Sequence, residues 1–285
     1  MLLIVGLVVV CCSVVGGYLM HHGQLAVLIQ VNEFLIIGGA GLGSMLVGNP
    51  PETLKRVLKQ VVSLLKPNPY NAVAFTDLLQ VLYKVFQKAR KDGLVGLEVH
   101  IEHPENSDLF RQHPTFMHHE HAVALLCDTL KVLLSGAVEN HHLDDILVND
   151  LDQQEHEAMS APLAVAKVAD AMPGFGIVAA VLGVIITMGS IGGAASEIGL
   201  KVAAALVGTF LGVLLSYGVL GPIAQAMETR LHSEHAYMLV IKAALLAFAR
   251  GDSPMSAVEF ARRNIHPNVR PSFAQLEDLT RRKAA

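Results

Sequence analysis

Residues 113–121, HPTFMHHEH, hold four histidines and one glutamate, and a pair such as His118 and His121 is the kind of ligand set that zinc accepts. The spacing argues against a metal centre. Contiguous histidines on a helix point to different faces, no HExxH occurs, and no second cluster at ligand spacing completes a site. We expect His113, His118, His119 and His121 to form a solvated helix start, and His103, His141 and His142 to be surface residues. No GxSxG, Walker loop or Rossmann fingerprint is present, so an enzyme reading has little to stand on and none is expected.

The stretch KARKDGLVGLEVHIEHPE, residues 88–105, offers recognition rather than reaction. Lys88, Arg90 and Lys91 are separated by Asp92-Gly93 from Glu98, Glu102 and Glu105, so both signs stand side by side. Such a patch suits a charged partner protein, although most charge runs are only solvated faces.

These groups sit on a chain of 285 residues that is 52% hydrophobic and 16% charged, with net charge −4. That balance is too apolar for an ordinary soluble domain of this length and indicates an integral membrane protein. Met1 to Met20, Phe34 to Val47, Phe175 to Ile191 and Val202 to Ala224 are nearly free of charge. A crossing helix needs roughly 20 residues, so the second block must borrow from Leu28 to Asn32. The first block lacks a basic n-region and an A-x-A site, and is read as a retained span rather than a signal peptide.

Eleven Lys and Arg lie between Gly48 and Asp170, nine after Ala224, and one, Lys201, in the link between spans three and four. The positive-inside rule therefore puts the large loop, the tail and both termini in the cytoplasm. Cys11 and Cys12 are neighbours within a span and Cys127 is in the loop, so no disulfide framework is available.

The non-membrane parts read as helical. Asn49-Pro50-Pro51 is expected to cap a helix over 52–65, with others over 71–91, 119–134 and from about 140 toward the membrane. The segment 224–250 extends span four, Ser253-Pro254 opens a short helix, and Ser272 with Gln275 forms a capping box. No strand and no internal repeat is expected.

Within the spans, Gly176 with Ala180, Ala179 with Gly183, and Gly208 with Gly212 are small residues four apart, the spacing that allows close helix approach in lipid. Pro173 and Pro222 are placed at the cytoplasmic ends of spans three and four, where proline either punctuates a helix or bends it. Ion conduction usually leaves an ionisable side chain in the bilayer, and the core of each span lacks one. Glu33 is placed near the outer end of span two and Asp170 at the entrance of span three. A protein that moves ions with such spans needs the titratable group from a partner.

Several blocks resemble the flagellar motor stator family of MotA-type proteins, along nearly the whole length. They are GGYLMHHG and AGLGSMLVGN around spans one and two, ARKDGLVGLE in the loop, DAMPGFGIVAAVLGV in span three, VGTFLGVLLSYGVLGPIA in span four, and AVEFARRNI with RPSFAQLE in the tail. The resemblance implies an all-α integral membrane protein of the bacterial inner (cytoplasmic) membrane. Its parts would be spans one and two (1–48), a cytoplasmic helical domain (49–170), spans three and four (171–224) and a helical tail (225–285). It implies a pentamer around a MotB-like partner that carries the ion-binding aspartate, and a push on the rotor protein FliG.

By position, Arg90 and Glu98 match rotor-contacting residues, Pro173 and Pro222 the coupling prolines, and Asp170 and Thr209 pore-mouth and pore-lining positions. Sodium-driven relatives carry a threonine at the position of Ala180, where a hard cation would need its oxygen. The methyl here implies protons rather than sodium as the coupling ion. No cofactor beyond the ion, no metal and no nucleic-acid partner is expected. The alternatives are an ExbB/TolQ-like energy-transducing subunit, a passive membrane scaffold and a membrane metalloenzyme.

Overall fold

In the computed structural model the structure describes residues 2–136, 139–189, 192 and 194–281. Met1 and Ile191, the outer limits expected for spans one and three, and the side chain of His141 lie outside them. In chain order the α-helices begin with α1 (Leu2–Met20), α2 (Leu25–Leu28), α3 (Val31–Gly48), α4 (Pro51–Ser63) and α5 (Ala72–Asp92). A 3-10 turn (Leu94–Leu97) leads to α6 (Glu98–Glu102), and short α7 (Asp108–Arg111) and α8 (Pro114–Met117) precede α9 (Glu120–Ser135). Then come α10 (Asn140–Met188), α11 (Ala195–Val213), a π-helical segment (Leu214–Leu220), α12 (Gly221–Ala249), α13 (Pro254–Asn264) and α14 (Phe273–Arg281). No strand occurs among the described residues.

Among the described residues, four helical segments are long and apolar enough to cross a membrane: Leu2–Met20, Leu25–Gly48, His142–Met188 and Ala195–Ala249. The chain divides into two compact units. The first comprises Met1–Pro67 and Glu157–Arg230. Its interior is thin. One cluster joins Ile37, Val168, Met172, Ala179 and Leu211, and another joins Leu64, Ala161, Val165, Ala224 and Met227. Leu42, Ile186 and Leu206 remain about two-thirds exposed, and no residue of α1 is buried. An apolar exterior around a small interior suits lipid or neighbouring subunits as the surrounding medium.

Helix α4 docks on α10 through an Arg56–Glu157 ion pair and a Gln60 amide donating to the Ala158 carbonyl at 3.2 Å. The carbonyls at its C-terminal end, which lack helical partners, receive the Arg230 guanidinium, 2.7 Å from Ser63 O and 3.1 Å from Lys66 O. The expected cap at Asn49 is corrected. Pro50 occupies the N-cap of α4, and Asn49 Nδ2 instead donates 2.8 Å to Met45 O, closing the end of α3.

The second unit, Asn68–His156 and Leu231–Ala285, has a conventional core. Leu78, Leu79, Leu82 and Phe86 of α5 bury against Leu126 and Leu130 of α9 and Val240, Ile241 and Leu245 of α12. Phe86 and Phe248 stack with centroids 4.5 Å apart. Asn71 caps α5 by accepting the Val73 and Ala74 amides. Ser253 caps α13, and Ser272 with Gln275 makes the reciprocal capping box, at 2.7 and 3.2 Å. The tail blocks AVEFARRNI and RPSFAQLE serve as bracing. Arg262 bonds both oxygens of Glu259 and the Pro271 carbonyl, and Arg270 donates to the Ile265 carbonyl. The guanidinium groups of Arg262, which contributes most, and Arg263 hold the Glu259 carboxyl below its usual range.

Candidate functional site

The small residues of α10 and α11 bring their two backbones into close contact. A Cβ on Gly176 would lie 2.7 Å from Gly208 O and 3.1 Å from Gly212 Cα. One on Gly212 would lie 2.6 Å from Met172 O and 2.9 Å from Gly176 Cα. Further along, a Cβ on Gly183 would sit 2.7 Å from that of Ala205, so the two helices run antiparallel. Two backbones touch here because neither helix has side chains to hold them apart.

The positions singled out in the spans lie along this pair. Asp170 is exposed on α10 and lines a cavity of about 140 Å³ with Pro162, Gly221 and Glu228. Half-buried Ala180 and Thr209 flank the glycine crossing. Pro173, expected at the cytoplasmic end of span three either to punctuate or to bend a helix, does not punctuate one. Helix α10 is unbroken over 49 residues and contains both Pro162 and Pro173 in its interior. Pro222 is the second residue of α12, directly after the π-helical segment. Proline removes a backbone donor and crowds the preceding turn, and the wider turn accommodates it, the Gly221 amide reaching back to Ser216 O. A Cβ on Gly221 would lie 3.0 Å from that oxygen.

Glu33 lies in the first turn of α3 and is the ninth residue of the apolar segment Leu25–Gly48, in which α2 and α3 are separated by a break at Ile29 and Gln30. Its side chain is only 7% exposed, and its Oε2 lies where a Gly208 Cβ would come within 2.6 Å. Among the described residues the apolar segments therefore bury one acid, a burial that its place in the sequence did not signal.

In the second unit the charged patch resolves into paired and presented groups. Lys88 Nζ bonds Asp92 at 2.8 Å, which holds the Asp92 carboxyl below its usual range and spends that basic charge locally. Arg90 and Lys91 stay exposed at the end of α5. They line an open cavity of about 360 Å³ with Tyr83, Gln87, Ser253, Pro254 and Met255. Arg90 Nη1 donates to Gly251 O at 3.3 Å, in a turn whose φ of +90° favours glycine. Gly93, at φ +77°, ends α5, and the 3-10 turn brings in exposed Glu98 as the first residue of α6. No ion pair joins Arg90 to Glu98 among the described residues, so both charges are presented outward.

The histidine cluster is not a solvated helix start. His118 and His121 are exposed, but His113 and His119 are 1% and 7% exposed. His113 Nδ1 lies 2.5 Å from Asp77 Oδ1, whose other oxygen accepts the Phe116 amide at 3.0 Å. His119 stacks on Tyr70 at 4.7 Å and leans on Tyr237 at 4.9 Å. Burial pushes the His119 pKa down, partly opposed by the Glu234 carboxylate. Among the described residues no group of three or more His, Cys, Asp or Glu is arranged to hold a metal ion.

Comparisons with known proteins agree with this architecture. Residues 4–93 match the family model for the motility protein A N-terminal region, and residues 118–239 match that for MotA/TolQ/ExbB proton channels. The chain is 37% identical to motility protein A of Escherichia coli (strain K12) over 281 residues, covering 99% of this chain and 95% of that protein. It is 34% identical to chemotaxis protein LafT of Vibrio parahaemolyticus over 272 residues, covering 95% of each. Among solved structures, C. jejuni MotAB superposes with a TM-score of 0.78 at 18% identity, covering 95% of this chain and 98% of that one. The flagellar MotAB stator complex of Bacillus subtilis gives 0.74 at 19% identity, with 96% and 100% covered. By sequence match over nearly its full length, and by a fold built on the same helices, the chain belongs to the motility protein A family.

Proposed function

We propose that this chain is a stator subunit of the bacterial flagellar motor, forming with a MotB-type partner an ion channel whose flow is converted into torque on the rotor. The observation that carries the reading is the bare backbone contact of α10 and α11 at Gly176, Gly208 and Gly212, flanked by Asp170, Pro173, Ala180, Thr209 and Pro222. A contact without side-chain padding shifts as a whole when a neighbouring charge changes, because packed helices move between discrete arrangements rather than deform continuously.

In this reading the four apolar segments cross the inner membrane, with residues 49–170 and 225–285 and both termini in the cytoplasm. Five copies surround the partner, whose aspartate binds and releases the ion. The protonation step changes the α10–α11 contact, and α10 and α12 carry the change toward the domain that bears Arg90 and Glu98, which meet the rotor protein FliG. Ala180 offers no oxygen to a dehydrated cation, which favours protons over sodium. An ExbB/TolQ-like role is disfavoured because residues 4–93 match the motility protein A N-terminal region.

The test is genetic and physiological. Deleting the coding sequence should leave assembled but paralysed flagella, and restoring it should restore swimming, in potassium medium as well as sodium medium. Swimming unaffected by the deletion contradicts the stator role, and swimming that stops without sodium contradicts the choice of ion.

A further inference from the structure

The partner's aspartate accounts for one titratable group, yet this chain buries one of its own. Glu33 lies in the first turn of α3, and its Oε2 has no hydrogen-bond partner among the described residues. The atoms nearest the Gly208 Cβ direction are this oxygen at 2.6 Å, Ala179 Cβ at 3.1 Å and the Ala180 amide nitrogen at 3.2 Å. The carboxyl is thus lodged where α3 meets the α10–α11 contact, in the room that glycine at 208 leaves.

Among the described residues no counter-charge explains it. Helices α1, α2 and α3 carry no Lys, Arg or other acid, and α10 has none between Asp170 and its end. On α11, Glu197 and Lys201 pair with each other at 2.9 Å. Lys201 lies seven residues before Gly208, and Asp170 ten before Ala180, roughly 10 and 15 Å along their helices. An ionised carboxylate buried without a partner costs several kcal/mol in a low-dielectric interior, a cost that disappears when the group takes up a proton. Intramembrane acids of this kind are characteristic of proton relays.

We propose that Glu33 is a proton-binding residue of the ion path, carried by this chain itself. The carboxylate accepts a proton from hydronium, releasing water, and packs as the neutral acid against Gly208. Returning the proton leaves a charge that draws in water and loosens α3 from the α10–α11 contact beside Ala180 and Thr209. The inference rests on the channel reading for its use of the proton, but not for the binding of one.

The experiment uses the complex with its MotB-type partner in lipid nanodiscs for infrared difference spectra between high and low pH, and in vesicles for proton flux. The variants are Glu33→Gln, which keeps the shape, and Glu33→Asp, which keeps the acid. We expect a deuterium-sensitive protonated-carboxyl band that Glu33→Gln abolishes and Glu33→Asp shifts. Flux should fall about tenfold or more in Glu33→Gln and recover partly in Glu33→Asp. A spectrum unchanged by Glu33→Gln overturns the proton site, and a lost band with undiminished flux overturns its place in the ion path. If the wild-type complex conducts no protons, the channel reading fails, while the band still decides whether Glu33 binds one.

Discussion

Replacing Gly212 with alanine adds a single methyl at the tightest point of the α10–α11 pair. That carbon would lie 2.6 Å from Met172 O, 2.9 Å from Gly176 Cα and 3.1 Å from Gly176 N, all backbone atoms that no rotamer change can move. Carbon needs about 3.5 Å or more from such neighbours, so α11 must withdraw by roughly 0.6–0.9 Å. A gap of that size forfeits about a quarter to a half of the dispersion energy of the atoms lining it. Overpacking of this kind costs about 1–3 kcal/mol, while alanine regains about 0.5–1 kcal/mol over glycine inside a helix. The net loss, about 1 kcal/mol within a range of about 0–2.5, should lower the melting temperature of the purified subunit by a few degrees and reduce swimming speed. Gly174→Ala on α10 is the comparison, since a Cβ there meets nothing within 4 Å in this chain. Gly174→Ala should melt no lower than wild type. Equal stability of Gly212→Ala and wild type, or equal damage from Gly174→Ala, would refute the argument that backbone contact at Gly212 holds the helices together.

Other consequences are smaller in scope. The Arg90→Glu, Glu98→Lys double variant should insert and fold normally yet lose torque in tethered cells, because both residues are exposed and carry no ion pair to each other; unchanged torque counts against the rotor contact. Burial depresses the His119 pKa, so the unfolded chain binds the extra proton first. The associated stability is complete above the ordinary histidine value of about 6.5 and is lost as pH falls below it. Thermal melts of the full chain should therefore show an acid-side decline that His119→Phe, keeping the stack on Tyr70 and Tyr237, flattens. Burial pushes the Cys127 thiol up to about 12, so it should resist maleimide at neutral pH until the protein unfolds.

Much of the fold was legible because its signals are local. Asn71 before α5, Ser253 before α13, and Ser272 with Gln275 before α14 each act within a few residues, and each is found in place. The apolar blocks marking four segments long enough to cross a membrane are equally local. What the sequence hid depends on partners far along the chain. His113 and His119 looked solvated because Asp77, the group that meets His113, lies 36 residues earlier on another helix. Glu33 looked peripheral because the glycine that receives it is at 208. Asn49 was read forward as a cap when its amide reaches back to Met45. Pro173 and Pro222 were visible as residues, but the unbroken course of α10 and the π turn before α12 follow from helix packing, which periodicity does not report. For the candidate site, the small-residue spacing in α10 and α11 was readable and the contact it makes was not.

In the stator reading this chain conducts ions only together with its MotB-type partner. The most direct test is proton flux into vesicles that contain the chain alone, or the chain with its MotB-type partner and with that partner's membrane aspartate changed to asparagine. The account predicts flux with the intact partner, and none with the chain alone or with the asparagine variant. Equal flux in all three preparations, or none in any, would contradict it.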